Sequence, residues 1–195
     1  MYDDWFEDDE LDGSQAVFVD VVRASARSWP QCPPAATAVL VFGPDEDDES
    51  DEVDIVGSAR EGVWVPPAEH AVYHAALDEA LDRGDTVVTL IADLRDTEKR
   101  VIFRTLGATV IGDRLFCSER HSQNYQSPEP VGDIEPVCAS GPPEHLGQVA
   151  AAWFEEIMNR LAISRHVLWA PAFVPRGTPL PPGYRWARNG PAPCA

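Results

Sequence analysis

Nearly all the excess negative charge of this chain lies in two short runs, which limits the parts that can pack into a core. The chain has 195 residues and a formal net charge of −18. Residues 1–12 carry seven acids and no base, and residues 45–54, DEDDESDEVD, carry eight acids. Removing these fifteen charges leaves −3 for the remainder. Because blocks of like charge repel and resist ordering, we expect a nearly neutral folded body with two acidic segments attached.

The composition of the body is that of a globular domain. Hydrophobic residues make up 44% of the chain, and its length fits one core with appendages. No run approaches the roughly 20 apolar residues that span a bilayer, and the acidic start is unlike the basic start of a signal peptide. We therefore predict a cytoplasmic protein that does not bind membranes and has reduced cysteines. Lys99 is the only lysine, which indicates a GC-rich bacterial genome.

Strand-like and helix-like patterns alternate along the body. Apolar residues at helical spacing predict helices over residues 14–29, 68–83, 96–107 and 144–162. Apolar runs predict strands at 36–42, 86–93, 166–170 and 183–188, and hairpins over 52–65 and 108–117. This order favours an α/β or α+β fold: a single compact domain with a mixed sheet and about four helices. The predicted layout is an acidic disordered tail over 1–13 and one domain over 14–190, with an acidic loop at 44–54 and Pro-rich loops at 118–143 and 171–183.

Two histidines on the second predicted helix form one candidate site. His70 and His74 are four residues apart, which places both imidazoles on one helix face, as a metal site or an acid–base pair requires. Glu69 and Asp78 are near enough to serve as further ligands or orienting partners. The zincin pattern needs Glu directly after the first histidine, where this chain has Ala71. The alternative is a helix face without chemistry, and no cofactor is predicted.

A second candidate site follows the most apolar strand. Asp93, Arg95 and Asp96 come directly after the run TVVTLIA. In sheets with parallel strands, ligands bind beyond the carboxyl ends of the strands. Two carboxylates beside an arginine could divide acid and base roles or hold a metal ion. The alternative is that Asp96 caps a helix and that an Asp–Arg pair lies on the surface.

The remaining motifs are weaker indications of a functional site. Cys117 with His121, followed by Cys138 and His145, could form a nucleophilic pair or a zinc site, but their spacing matches no zinc pattern. DEDDESDEVD lacks the glycine and the final bidentate acid of an EF-hand loop. Phosphate-binding, nucleophile-elbow and paired CxxC motifs are absent from the sequence.

The N-terminal run MYDDWFEDDELDG combines acids with large apolar side chains. Its acids would speed encounter with a basic surface, and its aromatic side chains would fill pockets on a partner. The predicted partner-binding residues are Trp5, Phe6, Asp8, Asp9 and Leu11. The alternatives are that the aromatic side chains fold back onto the body, or that the acids only aid solubility.

Together these features favour a non-enzymatic interaction or regulatory protein, of inhibitor, immunity or adaptor type, that engages a basic protein partner. Direct binding to nucleic acid is disfavoured, because the sequence has no stripe rich in Lys and Arg. The alternative is a small metal-dependent or carboxylate-based hydrolase with a site near Asp93, Asp96, His70 and His74. The sequence leaves open whether the protein is an enzyme.

Overall fold

The computed structural model describes residues 4–6, 11, 13–30, 32–43, 68–98, 101–121, 124–128, 134–165 and 171–190. These residues form three α-helices and nine strands. The helices are α1 (Gly13–Ala26), α2 (Ala68–Asp82) and α3 (Pro143–Met158). The strands are β1 (Thr37–Phe42), β2 (Val87–Arg95), β3 (Ile102–Ile111), β4 (Arg114–His121), β5 (Asn124–Pro128), β6 (Val137–Ser140), β7 (Leu161–Ser164), β8 (Ala172–Val174) and β9 (Arg185–Arg188).

The strands form two antiparallel sheets. The large sheet has the order β1-β2-β3-β4, and β5 and β6 pair with the two ends of the remaining edge of β4. The small sheet has the order β8-β7-β9. The predicted combination of helices and strands is confirmed. The predicted mixed sheet is wrong, because every strand pair of the described chain is antiparallel.

Strand β2 lies in the middle of the molecule and is covered on both faces, as its apolar run predicted. Successive side chains of a strand point to opposite faces. Val88, Leu90, Ala92 and Leu94 join the main core with α1 and α3, whereas Val87 joins a smaller core with α2. The large sheet is therefore packed between α1 and α3 on one face and α2 on the other.

Close contact between α1 and α3 closes the main core. A Cβ atom at Gly147 would lie 2.8 Å from Cβ of Val21 and 3.0 Å from the carbonyl oxygen of Phe18, so only glycine permits this approach. Leu146 and Phe154, on the apolar face of α3, are fully buried in the same core. Helical spacing along α3 thus produces the packing that its sequence predicted.

Several predicted elements need correction. The predicted helix over 96–107 is wrong: residues 102–111 form β3, which pairs with β2 along nearly its whole length. The stretch 118–143, predicted as a loop, contains the end of β4 and all of β5 and β6. The helix predicted over 144–162 ends at Met158, and β7 follows it.

Other predictions are confirmed or lie outside the described residues. The hairpin with Gly112-Asp113 at its turn is present, and Ile111 pairs with Arg114 across it. It is longer than predicted, because its strands run from 102 to 121. Residues 44–67 and 166–170 lie outside the described residues, and with them the predicted acidic loop, one hairpin and one strand.

Candidate functional site

Asp96, a candidate catalytic carboxylate, is bound in an ion pair between the end of β2 and β9. Arg185 donates to both of its oxygens, from Nη1 to Oδ1 at 3.0 Å and from Nη2 to Oδ2. The side chain of Asp96 is 4% exposed, and Oδ1 also accepts a hydrogen bond from the amide of Glu98 at 3.1 Å. The hydrogen bond to Asp96 raises the pKa of Arg185. These contacts give Asp96 a structural role in joining the two sheets.

Asp93 lies on the face of the large sheet that α2 covers. Thr105 Oγ1 donates to its Oδ1 at 3.0 Å, and Arg95 Nη2 lies 3.8 Å from its Oδ2. Burial raises the pKa of Asp93. Arg95 also donates to the carbonyl of Ala35 at 3.0 Å. The site expected at the end of a parallel strand is not formed, because β2 runs antiparallel to both neighbours and Asp93 and Asp96 have different partners.

Arg120, which no sequence pattern singled out, lies in a row with Asp93 across three strands. The strand register pairs Asp93 with Thr105 and Thr105 with Arg120. Arg120 is 2% exposed. Its Nη2 donates to Thr109 Oγ1 at 2.5 Å, and its guanidinium lies 4.9 Å from the centre of the Tyr73 ring. A buried cation is thus held between the sheet and α2 by a hydrogen bond and a cation–π contact.

Gly107 makes room for this arginine. A Cβ atom at Gly107 would lie 2.6 Å from Cγ and 2.8 Å from Cδ of Arg120. A glycine inside a strand pattern is the sequence signal for such a close approach. Because residues 96–107 were predicted to be helical, the signal was not recognised there.

The candidate metal ligands are not gathered into a site within the part of the chain that the structure describes. No group of three or more His, Cys, Asp and Glu side chains there has a geometry that could hold a metal ion. His74 is half-buried and meets the edge of the Tyr73 ring, with ring centres 5.3 Å apart. The side chain of His70 lies outside the described residues. The paired-histidine site therefore stays a prediction.

The two described cysteines of the third candidate site, Cys117 and Cys138, differ in their exposure to solvent. Cys117 is buried in the main core, and burial raises the pKa of its thiol. That shift opposes the thiolate that a nucleophile or zinc ligand requires. Cys138 is exposed on the neighbouring strand β6. His145 is exposed on α3, whereas the side chain of His121 lies outside the described residues.

The start of the chain packs into the protein's own core. Phe6 is 0% exposed, and its ring centre lies 6.0 Å from those of Trp29 and Phe154. Arg23 fixes the backbone here, because Nε donates to the carbonyl of Trp5 at 3.0 Å and Nη2 to that of Phe6 at 2.7 Å. Phe6 thus has no surface to offer a partner, which agrees with the alternative that the aromatic side chains fold back onto the body.

Two other predicted partner-binding residues of this segment also contact the body. Trp5 Nε1 donates to the carbonyl of Cys32 at 2.8 Å, and Leu11 packs partly buried against the main core. Residues 4–6, 11 and 13 therefore do not belong to a disordered tail. Asp8 and Asp9 lie outside the described residues, and their role stays a prediction.

The end of the first acidic segment and the start of the second join the folded body close together, next to Thr86. The first segment leads into α1, where Gln15 Nε2 donates to the carbonyl of Thr86 at 3.4 Å. The second follows Gly43, where a Cβ atom would lie 3.6 Å from Oγ1 of Thr86. The register of β1 with β2 explains this contact, because Phe42 pairs with Val87. The C-terminal end of the first run and the N-terminal end of the second are thus close in space, whereas Asp4 of the first run pairs with Arg27, after the end of α1, at 2.9 Å.

Comparison with known proteins gives no match: no protein-family model, no curated protein and no solved structure matches this chain. The helices of the described residues are all too short or too polar to cross a bilayer. A functional proposal for this protein therefore depends on its own geometry and charge.

Proposed function

We propose that this chain is a non-enzymatic interaction or regulatory protein, of inhibitor, immunity or adaptor type, that binds a basic protein partner through its two acidic segments. The observation that supports the proposal is that the end of the first segment and the start of the second both join the body beside Thr86, where Gln15 donates to its carbonyl and Gly43 lies close to its side chain. Seven acids lie in the first segment and eight in the second, whereas the remainder of the chain carries −3. The negative charge of the sequence is therefore concentrated in these two segments.

Concentrated negative charge favours a basic partner in two ways. It raises the rate of encounter by steering the partner towards the acidic segments, and it disfavours acidic competitors. Both effects weaken as salt screens the charges over a Debye length of about 8 Å at physiological ionic strength. We therefore expect the partner to be captured at low salt and released as salt increases.

The structure determines how this proposal is tested. Deleting residues 1–12 would also remove Phe6 from the core, so loss of binding would be confounded with loss of folding. A better variant keeps the anchor and neutralises the acids around it. Its substitutions are Glu7→Gln, Asp8→Asn, Asp9→Asn and Glu10→Gln.

A matched control changes the net charge equally but on the surface of α2 and α3. It consists of Asp78→Asn, Glu79→Gln, Asp82→Asn and Glu155→Gln, all at exposed positions. Immobilised wild type, the neutralised variant and the control are each incubated with lysate, and bound proteins are eluted with salt. We expect wild type and control to retain the same basic protein and the neutralised variant to lose it. Equal recovery by all three would contradict the proposal.

A carboxylate-based hydrolase is the second candidate, favoured by one observation. Asp93 is half-buried with a raised pKa, and it lies in a row with Thr105 and Arg120. A carboxyl group with a raised pKa is suited to proton transfer. Turnover of ester or phosphodiester substrates that is lost in Asp93→Asn would support this candidate, and no turnover by the wild type would remove it.

A further inference from the structure

An open cleft lies where the end of α3 meets the small sheet. Its volume is about 700 Å³, within the range of about 300–1,000 Å³ that is typical of ligand sites. Leu161 of β7 and Trp186 of β9 form its apolar wall, and Arg176 and Thr178 of the loop after β8 form its polar wall. All four residues are half-buried or exposed, so the walls of the cleft are accessible from solvent.

Asn189 and Gly190 hold the cleft in shape. Nδ2 of Asn189 donates to the carbonyl of Met158 at 2.5 Å and to that of Arg160 at 3.0 Å, which ties the end of β9 to the end of α3. A Cβ atom at Gly190 would lie 2.7 Å from Cδ1 of Trp186, so the indole ring packs directly against the Gly190 backbone. The ring is thus held in place by the protein itself, which lowers the entropic cost of binding a ligand.

The charges around the cleft favour an anion. Arg176 is the only ionisable side chain among the described lining residues, and it makes no hydrogen bond or ion pair within the described part of the chain. The end of α3 carries roughly half a negative charge, but the carbonyl of Met158 there accepts from Asn189 and also from Nε of the buried Arg188 at 3.3 Å. These bonds reduce the repulsion that the helix end would exert on an anion beside Arg176.

A guanidinium and an indole ring in one cleft select a class of ligand. A guanidinium matches a carboxylate with two parallel N–H···O bonds, and an indole ring packs favourably against another aromatic ring. A phosphate group carries up to about two negative charges, which the single lining arginine of the described cleft does not balance.

We propose that this cleft binds a small aromatic carboxylate, with the carboxylate on Arg176 and the ring against Trp186 and Leu161. The inference goes beyond the proposed function and does not depend on it, because the described lining belongs to residues 159–190, far along the chain from both acidic runs.

Three small molecules test the inference on the wild-type chain. Phenylacetate has both the ring and the carboxylate, phenylacetamide lacks the charge, and acetate lacks the ring. Titration of isotope-labelled protein follows the indole N–H resonance of Trp186, which the variant Trp186→Phe assigns. Because the charged contact and the buried ring each strengthen binding, we expect phenylacetate to bind at least about tenfold more tightly than either analogue.

An exposed arginine elsewhere in the chain supplies a matched control. Arg176→Gln removes the positive charge from the cleft, whereas Arg114→Gln removes the same charge from the β3–β4 hairpin. Both side chains are exposed, so the fold should tolerate their replacement. We expect Arg176→Gln to bind phenylacetate at least about tenfold more weakly than wild type, and Arg114→Gln to bind it as wild type does.

Four outcomes would overturn the inference. The Trp186 resonance does not shift with phenylacetate, or either analogue binds as tightly as phenylacetate does. Equal weakening by Arg176→Gln and Arg114→Gln would mean that the net charge of the protein, and not the cleft, determines binding. Tighter binding of phenyl phosphate than of phenylacetate would contradict the assignment of a carboxylate ligand.

Discussion

At the scale of single residues, Arg120 depends on the absence of a side chain at Gly107. Substituting Gly107→Ala places a Cβ atom against the stem of Arg120 and forces the guanidinium away from Tyr73 and Thr109. Overpacking of this kind costs about 1–3 kcal/mol. Urea unfolding should show a loss of that size in the free energy of unfolding.

Gly43→Ala is the control, because its Cβ atom would be in ordinary contact with Thr86. We expect its free energy of unfolding to stay within about 0.5 kcal/mol of wild type. In an Arg120→Ala background, the cost of Gly107→Ala should shrink, since the clash is gone. Equal effects of Gly107→Ala in both backgrounds would contradict this account of the close approach.

The pKa of Asp93 gives a prediction with a defined sign. Burial raises this pKa above its usual value of 3.8, so the folded state holds the proton more tightly than the unfolded chain does. The carboxyl is protonated in both states below pH 3.8, and it destabilises the folded state as pH increases through its folded pKa. The free energy of unfolding of Asp93→Asn should therefore increase relative to wild type between pH 3.8 and neutral pH. If the difference in free energy of unfolding between the two proteins were constant with pH, or changed in the opposite direction, the raised pKa of Asp93 would be contradicted.

Single residues also show which features of the candidate site can be predicted from the sequence. Asp93 and Asp96 were identified as unusual from the polar residues at the end of an apolar run. Their separate roles were not predictable, because Arg185 and Thr105 reach them through pairings that lie elsewhere in the chain. Arg120 was missed because it falls in the stretch 118–143 that was predicted to be a loop, where a charged side chain is expected to be exposed.

At the scale of elements, the ion pair of Asp96 with Arg185 connects the end of β2 to β9. The side chain of Asp96 is 4% exposed and that of Arg185 25% exposed. Asp96→Asn leaves Arg185 without the charge of its buried partner, which costs about 2–3 kcal/mol in such a setting. Urea unfolding should register this loss, and hydrogen exchange should increase first in β9.

Glu98→Gln serves as the control for that prediction. Glu98 also lies near Arg185, at 3.2 Å, but its side chain is 68% exposed. Exposed ion pairs contribute roughly 0–1 kcal/mol, so this variant should remain close to wild type. If Glu98→Gln were as destabilising as Asp96→Asn, the buried pair would not be what joins the sheets.

Phe6 makes the N-terminal segment part of the folded core. Removing a buried phenylalanine side chain typically costs about 3–5 kcal/mol, and Phe6→Ala should lower the free energy of unfolding by that amount because Phe6 is fully buried. Thermal unfolding measures the effect. The variant that neutralises Glu7, Asp8, Asp9 and Glu10 keeps this anchor and should unfold at or slightly above the wild-type temperature. If Phe6→Ala unfolded at the wild-type temperature, the segment would be a tail that contributes nothing to the stability of the fold.

Elements were predictable where local pattern and final packing agree. The apolar run of β2, the Gly112-Asp113 hairpin and the amphipathic face of α3 each carry their own signal. Strand β3 does not, because VIFRTL also fits helical spacing and only its pairing with β2 decides between the two. The short strands β5 and β6 are likewise defined by the edge of β4 that they share.

At the scale of the whole molecule, the uneven charge was predictable from sequence, but its geometry was not. The acidic runs 1–12 and 45–54 are visible in the sequence alone. The convergence of the end of the first run with the start of the second depends on α1 starting beside Thr86 and on β1 ending there, which only the packing of α1 on the large sheet determines.

Mapping of amide chemical shifts is the most direct test of this convergence. Isotope-labelled protein is titrated with the captured basic partner at low salt. We expect the largest shifts at the junctions of the acidic segments with the body, at residues 13–15, Gly43 and Thr86, and we expect these shifts to diminish as salt increases. Largest shifts in the small sheet, or around Asp93 and Arg120, would contradict this account.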